Sequence, residues 1–171
     1  MDSKIIAEKL KEGRNTGSAL KLLEDRKLTD MQIDRYGRFR EGVFYAKAML
    51  EIPEKRELYE EEAGGKMSAY NTALKDYLTV PTLLEVDISE YSGMPGEEIR
   101  VKGLDDVLVT GVEVAIIADG EILEQGDASQ DEINKLLWIY RTQEENGHER
   151  YVVRVTATDL PGNMTVGEIE S

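Results

Sequence analysis

The hydrophobic positions of this chain change their spacing once, near residue 80. Before that point apolar side chains recur at steps of three and four residues, which is the period of an amphipathic helix. After it they alternate with polar side chains at a period of two, and turn residues interrupt them about every eight to twelve positions. The pattern predicts an α+β chain, with a helical region over 1–80 and a β-sandwich over 81–171.

The longest predicted helix runs from Thr29 to Leu50. Thr29 and Gln32 have the spacing of a capping box, in which each side chain pairs with a free backbone N–H. Gly37 and Gly42 each weaken the helix by about 1 kcal/mol relative to alanine, so they mark either a bend or the close approach of another element. The predicted apolar face consists of Ile33, Tyr36, Gly37, Arg40, Val43, Phe44, Lys47, Ala48 and Leu50.

Shorter helical segments flank the long one. Short amphipathic stripes precede it within 3–28. Pro53 suits the first position of a helix that ends at Ala63, because its missing N–H needs no partner there. Ser68 can cap a last helix that ends near Leu78.

Seven strands are predicted in the second half of the chain. They lie over 84–88, 99–102, 112–116, 122–125, 137–142, 151–158 and 164–169. Asp119-Gly120 between the third and fourth is a strong hairpin signal, and a less regular stretch over 127–135 separates the fourth from the fifth. This rhythm indicates an antiparallel sandwich of about seven strands.

Two stretches near the end of the chain resemble a known class of domain. Trp138-Ile139-Tyr140 is followed by a polar loop and by a V-x-V-x-A-x-D-x-x-G-N pattern over 153–163. This combination resembles the last strands of bacterial immunoglobulin-like domains, a class that includes fibronectin III-like sandwiches. The resemblance extends over about 81–171 and implies an immunoglobulin-like β-sandwich without a particular activity. The whole chain is similar to uncharacterised bacterial proteins with a helical N-terminal region.

The charge is unevenly distributed between the two halves. Residues 1–80 have 15 Lys and Arg against 15 Asp and Glu, whereas residues 81–171 have 6 against 20 and account for the net charge of −14. Such an acidic surface repels polyanions, so the sequence argues against nucleic acid and anionic lipid as partners. Cationic surfaces and metal ions are compatible partners, although the charge can also serve solubility alone.

The composition excludes several kinds of chemistry. The chain has no cysteine, which excludes disulfides and a thiol nucleophile, and its one histidine excludes a multi-histidine metal site. That residue, His148, follows Asn146-Gly147 in a predicted exposed loop, where a solvated role is expected. Charges at Glu8 and Lys9 interrupt the first apolar stretch, and no membrane span is present. We therefore expect a cytoplasmic protein.

The acidic loops suggest a calcium site. If consecutive strands are antiparallel, the loops near 103–108, 126–133 and 160–163 lie at the same end of the sandwich. Calcium takes six to eight oxygen ligands from converging loops of this kind. Aspartate also fills turns for a different reason, because it hydrogen-bonds its own backbone. The candidate ligands are Asp105, Asp106, Asp127, Asp131 and Asp159, with Glu132 and Asn163 nearby.

Trp138 and Tyr140 point to the same face of their predicted strand. A pair of this kind can stack on a sugar ring when exposed, but it more commonly packs in the core of a sandwich. We expect core packing, as the resemblance implies.

The sequence favours a non-catalytic binding or assembly module over an enzyme. No convergent catalytic set is visible, and the amphipathic helix over 29–50 offers a face to a protein partner or to a second copy of the chain. The alternative is a carbohydrate-active enzyme or its sugar-binding accessory domain, which requires Trp138 or the tyrosines to be exposed. A third hypothesis is a structural module stabilised by calcium.

Overall fold

The computed structural model describes residues 30–171, which form three helices and eight strands. The helices are α1 (Asp30–Glu51), α2 (Pro53–Ala63) and α3 (Ala69–Leu78). The stripes predicted within 3–28 and the Thr29 half of the predicted capping box lie outside the described residues. None of the described helices is long and apolar enough to cross a membrane.

The ends of α2 and α3 follow from their local sequence. Pro53 is the first residue of α2, and Gly64 ends that helix with a φ of 53°, in the left-handed region that glycine adopts without strain. The Ser68 hydroxyl accepts a hydrogen bond from the backbone N–H of Asn71 at 3.2 Å and so caps α3. The predicted boundaries of both helices are confirmed.

Gly42 is the point of closest approach between α1 and α3. A Cβ atom at this position would lie 2.9 Å from Leu74 Cδ1 and 3.0 Å from Tyr77 Cδ1, so a larger residue fits only if these side chains move. Ala46, one turn later, is fully buried. Of the two interpretations of Gly42, close approach is therefore correct.

The face of α1 that packs on α3 is not the predicted one. Gly42 and Ala46 are buried, whereas Tyr36 and Val43 on the predicted face are half-buried and Phe44 is exposed. Small residues determine the packing because they let the two helix backbones come close. Of the larger side chains of α1, Tyr45, Met49 and Leu50 pack on the same helix cluster, and among these only Leu50 was on the predicted face.

The strands form two antiparallel four-stranded sheets. One has the order β1-β2-β6-β5 and the other β4-β3-β7-β8. In both, the period-two pattern separates a buried face from a solvated one, as in β2, where Ile99 and Val101 are buried while Arg100 and Lys102 are exposed. The strands are β1 (Thr82–Asp87), β2 (Glu98–Leu104), β3 (Val109–Ala118), β4 (Glu121–Asp127), β5 (Ser129–Gln130), β6 (Leu137–Arg141), β7 (Val152–Asp159) and β8 (Met164–Glu170).

The eighth strand, β5, falls in the stretch predicted to be irregular. It pairs Ser129 with Ile139 and Gln130 with Trp138. Two residues are too few for an alternating pattern to be visible in the sequence. The hairpin at Asp119-Gly120 is confirmed, because both residues have positive φ values, 54° and 82°, as a two-residue hairpin turn requires.

The described residues contain two hydrophobic clusters. The larger fills the space between the sheets and includes Trp138 and Tyr140. The smaller is built around Ala46, Tyr59 and Ala73 of the helices, and Val107 and Leu160 from two loops of the sandwich pack against it. The helices therefore lie against one end of the sandwich.

Replacing Gly42 with valine tests the close contact between α1 and α3. We expect Gly42→Val to be less stable than Gly37→Val by about 1–3 kcal/mol, because overpacking at Gly42 outweighs the helix-propensity gain that both variants share. A Cβ at Gly37 has nothing within 4 Å. Urea unfolding of the two variants measures the difference. Equal destabilisation would contradict the packing described here.

Candidate functional site at the helix–sandwich junction

Polar side chains from both parts of the chain meet where α3 lies on the sandwich. The Nζ atom of Lys75 lies 2.7 Å from Asp106 Oδ1, and the Thr79 hydroxyl donates to Asp106 Oδ2 at 2.9 Å. The side-chain amide of Asn163 donates to the backbone carbonyls of Asp76 and Tyr77 at 3.4 and 3.3 Å. These contacts join α3 to the β2–β3 loop and to the β7–β8 loop.

A chain of three hydroxyl and carboxyl groups runs through the interior of the helices. The hydroxyls of Tyr45 on α1 and Tyr59 on α2 are 2.8 Å apart, and the Tyr59 hydroxyl donates to Asp76 Oδ2 at 2.6 Å. Both Tyr59 and Asp76 have no exposed surface. Burial, together with the Asp76 and Tyr45 contacts, raises the pKa of Tyr59, so its hydroxyl stays a donor at all ordinary pH values.

The second oxygen of Asp76 faces the sandwich without a donor. Among residues 30–171 neither Asp76 Oδ1 nor Asp105 Oδ1 has a hydrogen-bond partner, although both atoms are buried. Burial raises the pKa of Asp76 to about 7, and the Asp105 and Asp159 carboxyls add to this rise, while the Tyr59 hydrogen bond opposes it.

The other carboxylate oxygens of this cluster are held by the loops that carry them. Asp105 Oδ2 accepts from the backbone N–H groups of Val107 and Leu108, both at 3.3 Å. Asp159 is 2% exposed and accepts from Asn163 twice, at 2.6 Å from the backbone N–H and 2.8 Å from the side-chain amide. Burial raises the pKa of Asp159, and the bonds from Asn163 oppose the rise. Asp76 is therefore the least compensated carboxyl of the cluster.

The predicted calcium ligands fall into two groups. Asp105, Asp106 and Asp159 come together at the junction, as the loop argument expects. Asp127 pairs with Glu113 at the end of β4, partway along the second sheet. Asp131 caps its own loop, because its Oδ1 accepts from the N–H groups of Ile133 and Asn134 at 3.0 and 2.7 Å. The exposed Glu132 lies beside it.

Within residues 30–171 no group of three or more histidine, aspartate or glutamate side chains has an arrangement that could hold a metal ion. Asp106 has Lys75 and Thr79 as partners, and Asp159 has Asn163. A calcium site at these loops stays a prediction, and calorimetric titration with millimolar calcium tests it. Absence of heat and an unchanged melting temperature would contradict it.

Trp138 and Tyr140 lie in the core, so the prediction of core packing is confirmed. Trp138 is 7% exposed and Tyr140 is 2% exposed. The Tyr140 hydroxyl donates to Glu124 Oε1 at 2.6 Å, and the backbone N–H groups of Gln143 and Glu144 also donate to this carboxylate. Glu124 is thus a buried carboxylate whose oxygens have donors.

His148 lies on the surface, as expected. Its Nδ1 atom is 3.3 Å from Asp119 Oδ2 in the β3–β4 hairpin. The side chain is 42% exposed.

Sequence inspection missed Asp76, Tyr45 and Tyr59. A signal was present in α3, where Thr72, Ala73 and Asp76 recur at helical spacing and are all buried. Small residues at this spacing indicate a closely packed helix face, and a carboxyl on such a face needs a buried partner. The tyrosines that partner it come from other helices, so only the tertiary structure identifies them.

No family model and no curated protein matches the chain. Among solved structures it is similar to an engineered protein at 21% identity and a TM-score of 0.42, over 53% of this chain and 19% of that one. It is also similar to CopC from Methylosinus trichosporium OB3b at 14% identity and a TM-score of 0.39, over 53% of this chain and 89% of that one. Both TM-scores are under 0.5, so neither likeness supports an argument about this protein.

Substitution of Asn163 tests the importance of the buried part of the junction. We expect Asn163→Ala to destabilise the protein by about 1–3 kcal/mol, because it removes the side-chain amide that donates to Asp159 Oδ2 and to the carbonyls of Asp76 and Tyr77, although the backbone N–H of residue 163 still donates to Asp159 Oδ1. Lys75→Ala removes an ion pair at the surface of the same junction and is expected to cost less than about 1 kcal/mol. Chemical unfolding of both variants gives the comparison. A larger loss for Lys75→Ala would contradict this ranking.

Proposed function

We propose that the protein is a non-catalytic protein-binding or assembly module that uses α1 to contact a protein partner or a second copy of itself. The observation that supports this proposal most strongly is Phe44, which is 63% exposed. Three further apolar side chains, Ile33, Tyr36 and Val43, recur with it at helical spacing and are half-buried. We refer to these four residues as the α1 outer face.

The α1 outer face has the form of a surface that docks in a groove. Tyr36 and Val43 are seven residues apart and so lie on one side of the helix, as anchors of an amphipathic helix do. Another side of α1 attaches the helix to the rest of the chain, because Gly42 and Ala46 pack against α3. The helix is thus held by one side and leaves apolar surface on another.

The sugar-binding alternative has less support. It requires an exposed aromatic platform, whereas Trp138 is buried. All eight tyrosines fall within residues 30–171, and each is buried or half-buried. We therefore prefer a protein partner.

We include in this proposal an immunoglobulin-like class for the sandwich. If the eight strands are lettered A, B, C, C′, D, E, F and G, the two sheets have the orders ABED and C′CFG. That arrangement is typical of immunoglobulin-like sandwiches. The class serves many unrelated roles, so it adds no activity to the proposal. A cytoplasmic location and the exclusion of nucleic acid stay predictions.

Phe44→Glu tests the proposed role of the α1 outer face. We expect this variant to fold and to lose association that the unmodified chain shows, because a carboxylate cannot be desolvated in an apolar contact without cost. Ile122→Glu is the matched control, since Ile122 on β4 is also an apolar side chain and is 55% exposed. Far-UV circular dichroism checks the fold of both variants.

Association is measured in two ways with the full-length chain. Sedimentation velocity over a range of concentrations detects self-association, and affinity capture from lysate detects a protein partner. The proposal expects the dimer or the captured protein to persist with Ile122→Glu and to be lost with Phe44→Glu. Equal behaviour of all three chains, whether they associate or not, would contradict it.

A further inference from the structure

The Asn146-Gly147 dipeptide lies in the β6–β7 loop. This loop is at the end of the sandwich opposite the helices, because the helices contact the β2–β3 and β7–β8 loops. Gly147 is exposed and Asn146 is half-buried, and no other asparagine in the sequence is followed by glycine. The backbone nitrogen of the next residue can attack an asparagine side-chain amide, and glycine has no Cβ atom that would hinder the approach.

The structure holds the Asn146 side chain over the Gly147 nitrogen. Asn146 Oδ1 accepts a hydrogen bond from the backbone N–H of His148 at 3.0 Å, which turns the side chain back along the chain and brings Cγ beside the intervening peptide. The Gly147 N–H makes no hydrogen bond within residues 30–171, so no acceptor competes for this nitrogen. A Cβ atom at Gly147 would have nothing within 4 Å, which leaves room for a ring to form.

The backbone of Asn146 is anchored, whereas its amide nitrogen is not. The Asn146 N–H donates to the backbone carbonyl of Gly93 in the β1–β2 loop at 2.8 Å. The Asn146 carbonyl oxygen is so close to Gly93 that a Cβ atom there would lie 2.5 Å from it. Nδ2 is buried and has no hydrogen-bond partner among residues 30–171. An unpaired buried donor is unfavourable, so its departure breaks no hydrogen bond.

We propose that Asn146 is a site of spontaneous deamidation, at which a succinimide intermediate converts the asparagine to aspartate and isoaspartate. The Gly147 nitrogen gives its proton to a base in the solvent and forms a bond to Asn146 Cγ. The Cγ–Nδ2 bond breaks, and the nitrogen takes up a proton and leaves as ammonia. Water then opens the ring: opening at Cγ gives aspartate, and opening at the backbone carbonyl gives isoaspartate.

Both products disturb the contact between the β1–β2 and β6–β7 loops. Isoaspartate adds one carbon atom to the main chain and replaces the carbonyl that contacts Gly93 with a carboxylate. Either product adds a negative charge to a loop that already contains Glu144 and Glu145, in the acidic half of the chain. We therefore expect this end of the sandwich to loosen as the protein ages. The effect is independent of the proposed binding role of α1.

Peptide mass spectrometry of the full-length protein tests the proposal after incubation at mildly alkaline pH, which favours deprotonation of the attacking nitrogen. Asn134 is the internal control, because its Oδ1 atom accepts from the backbone N–H of Leu136 at 3.2 Å in the same kind of turn, but Lys135 follows it. We expect most copies to lose the Asn146 amide, with isoaspartate among the products, while Asn134 stays intact. Loss at Asn134 as fast as at Asn146, or no loss at Asn146, would overturn the proposal.

Gly147→Ala provides the matched variant. Gly147 does not have a positive φ and has open space around it, so alanine fits, but its Cβ hinders the attack. We expect this variant to keep the Asn146 amide through the same incubation and to keep its melting temperature, whereas the aged unmodified chain melts at a lower temperature than the fresh one. Equal loss of amide in the two chains would refute attack by the Gly147 nitrogen. An aged, converted chain with the melting temperature of the fresh one would refute the loosening.

Discussion

The Asp76 carboxyl must be buried for the helices to lie on the sandwich, and the rest of the junction is arranged around it. An unpaired buried carboxylate is costly, so each nearby element supplies something that reduces the cost. Tyr59 donates to one oxygen at 2.6 Å, whereas the other oxygen has no donor among residues 30–171. Asn163 donates to the backbone carbonyl of Asp76 and so holds the helix end against the β7–β8 loop.

The burial of Asp76 also links the contacts among the three helices to the sandwich. Gly42 lets α1 approach α3 closely enough for Tyr45 to reach Tyr59, and Tyr59 in turn reaches Asp76. The sandwich provides a rigid platform because its core is closed by two paired sheets. One side of α1 is thereby fixed, and Phe44 on another side is exposed. The proposed binding surface thus depends on the packing that buries Asp76.

The sequence was sufficient to predict the helices and strands whose hydrophobic positions repeat regularly, but it was insufficient to predict the residues of the site. Regular alternation identified seven strands, whereas β5, with two residues, is too short to show a period. The packed face of α1 was predicted wrongly because Gly42 and Ala46 are small. They add little to a hydrophobic pattern, but they let the two helices come close. Asp105 was a candidate residue from its loop, whereas Asp76 was missed because its burial arises only when α3 meets the sandwich.

The most direct test is a carboxyl-carbon NMR titration of Asp76 in the full-length protein. The account predicts a midpoint near pH 7, because burial raises the pKa of Asp76 more than the Tyr59 hydrogen bond lowers it. A midpoint near 4, the ordinary value for aspartate, would contradict it. The junction would then contain an ionised Asp76, and its stability would have to come from another interaction.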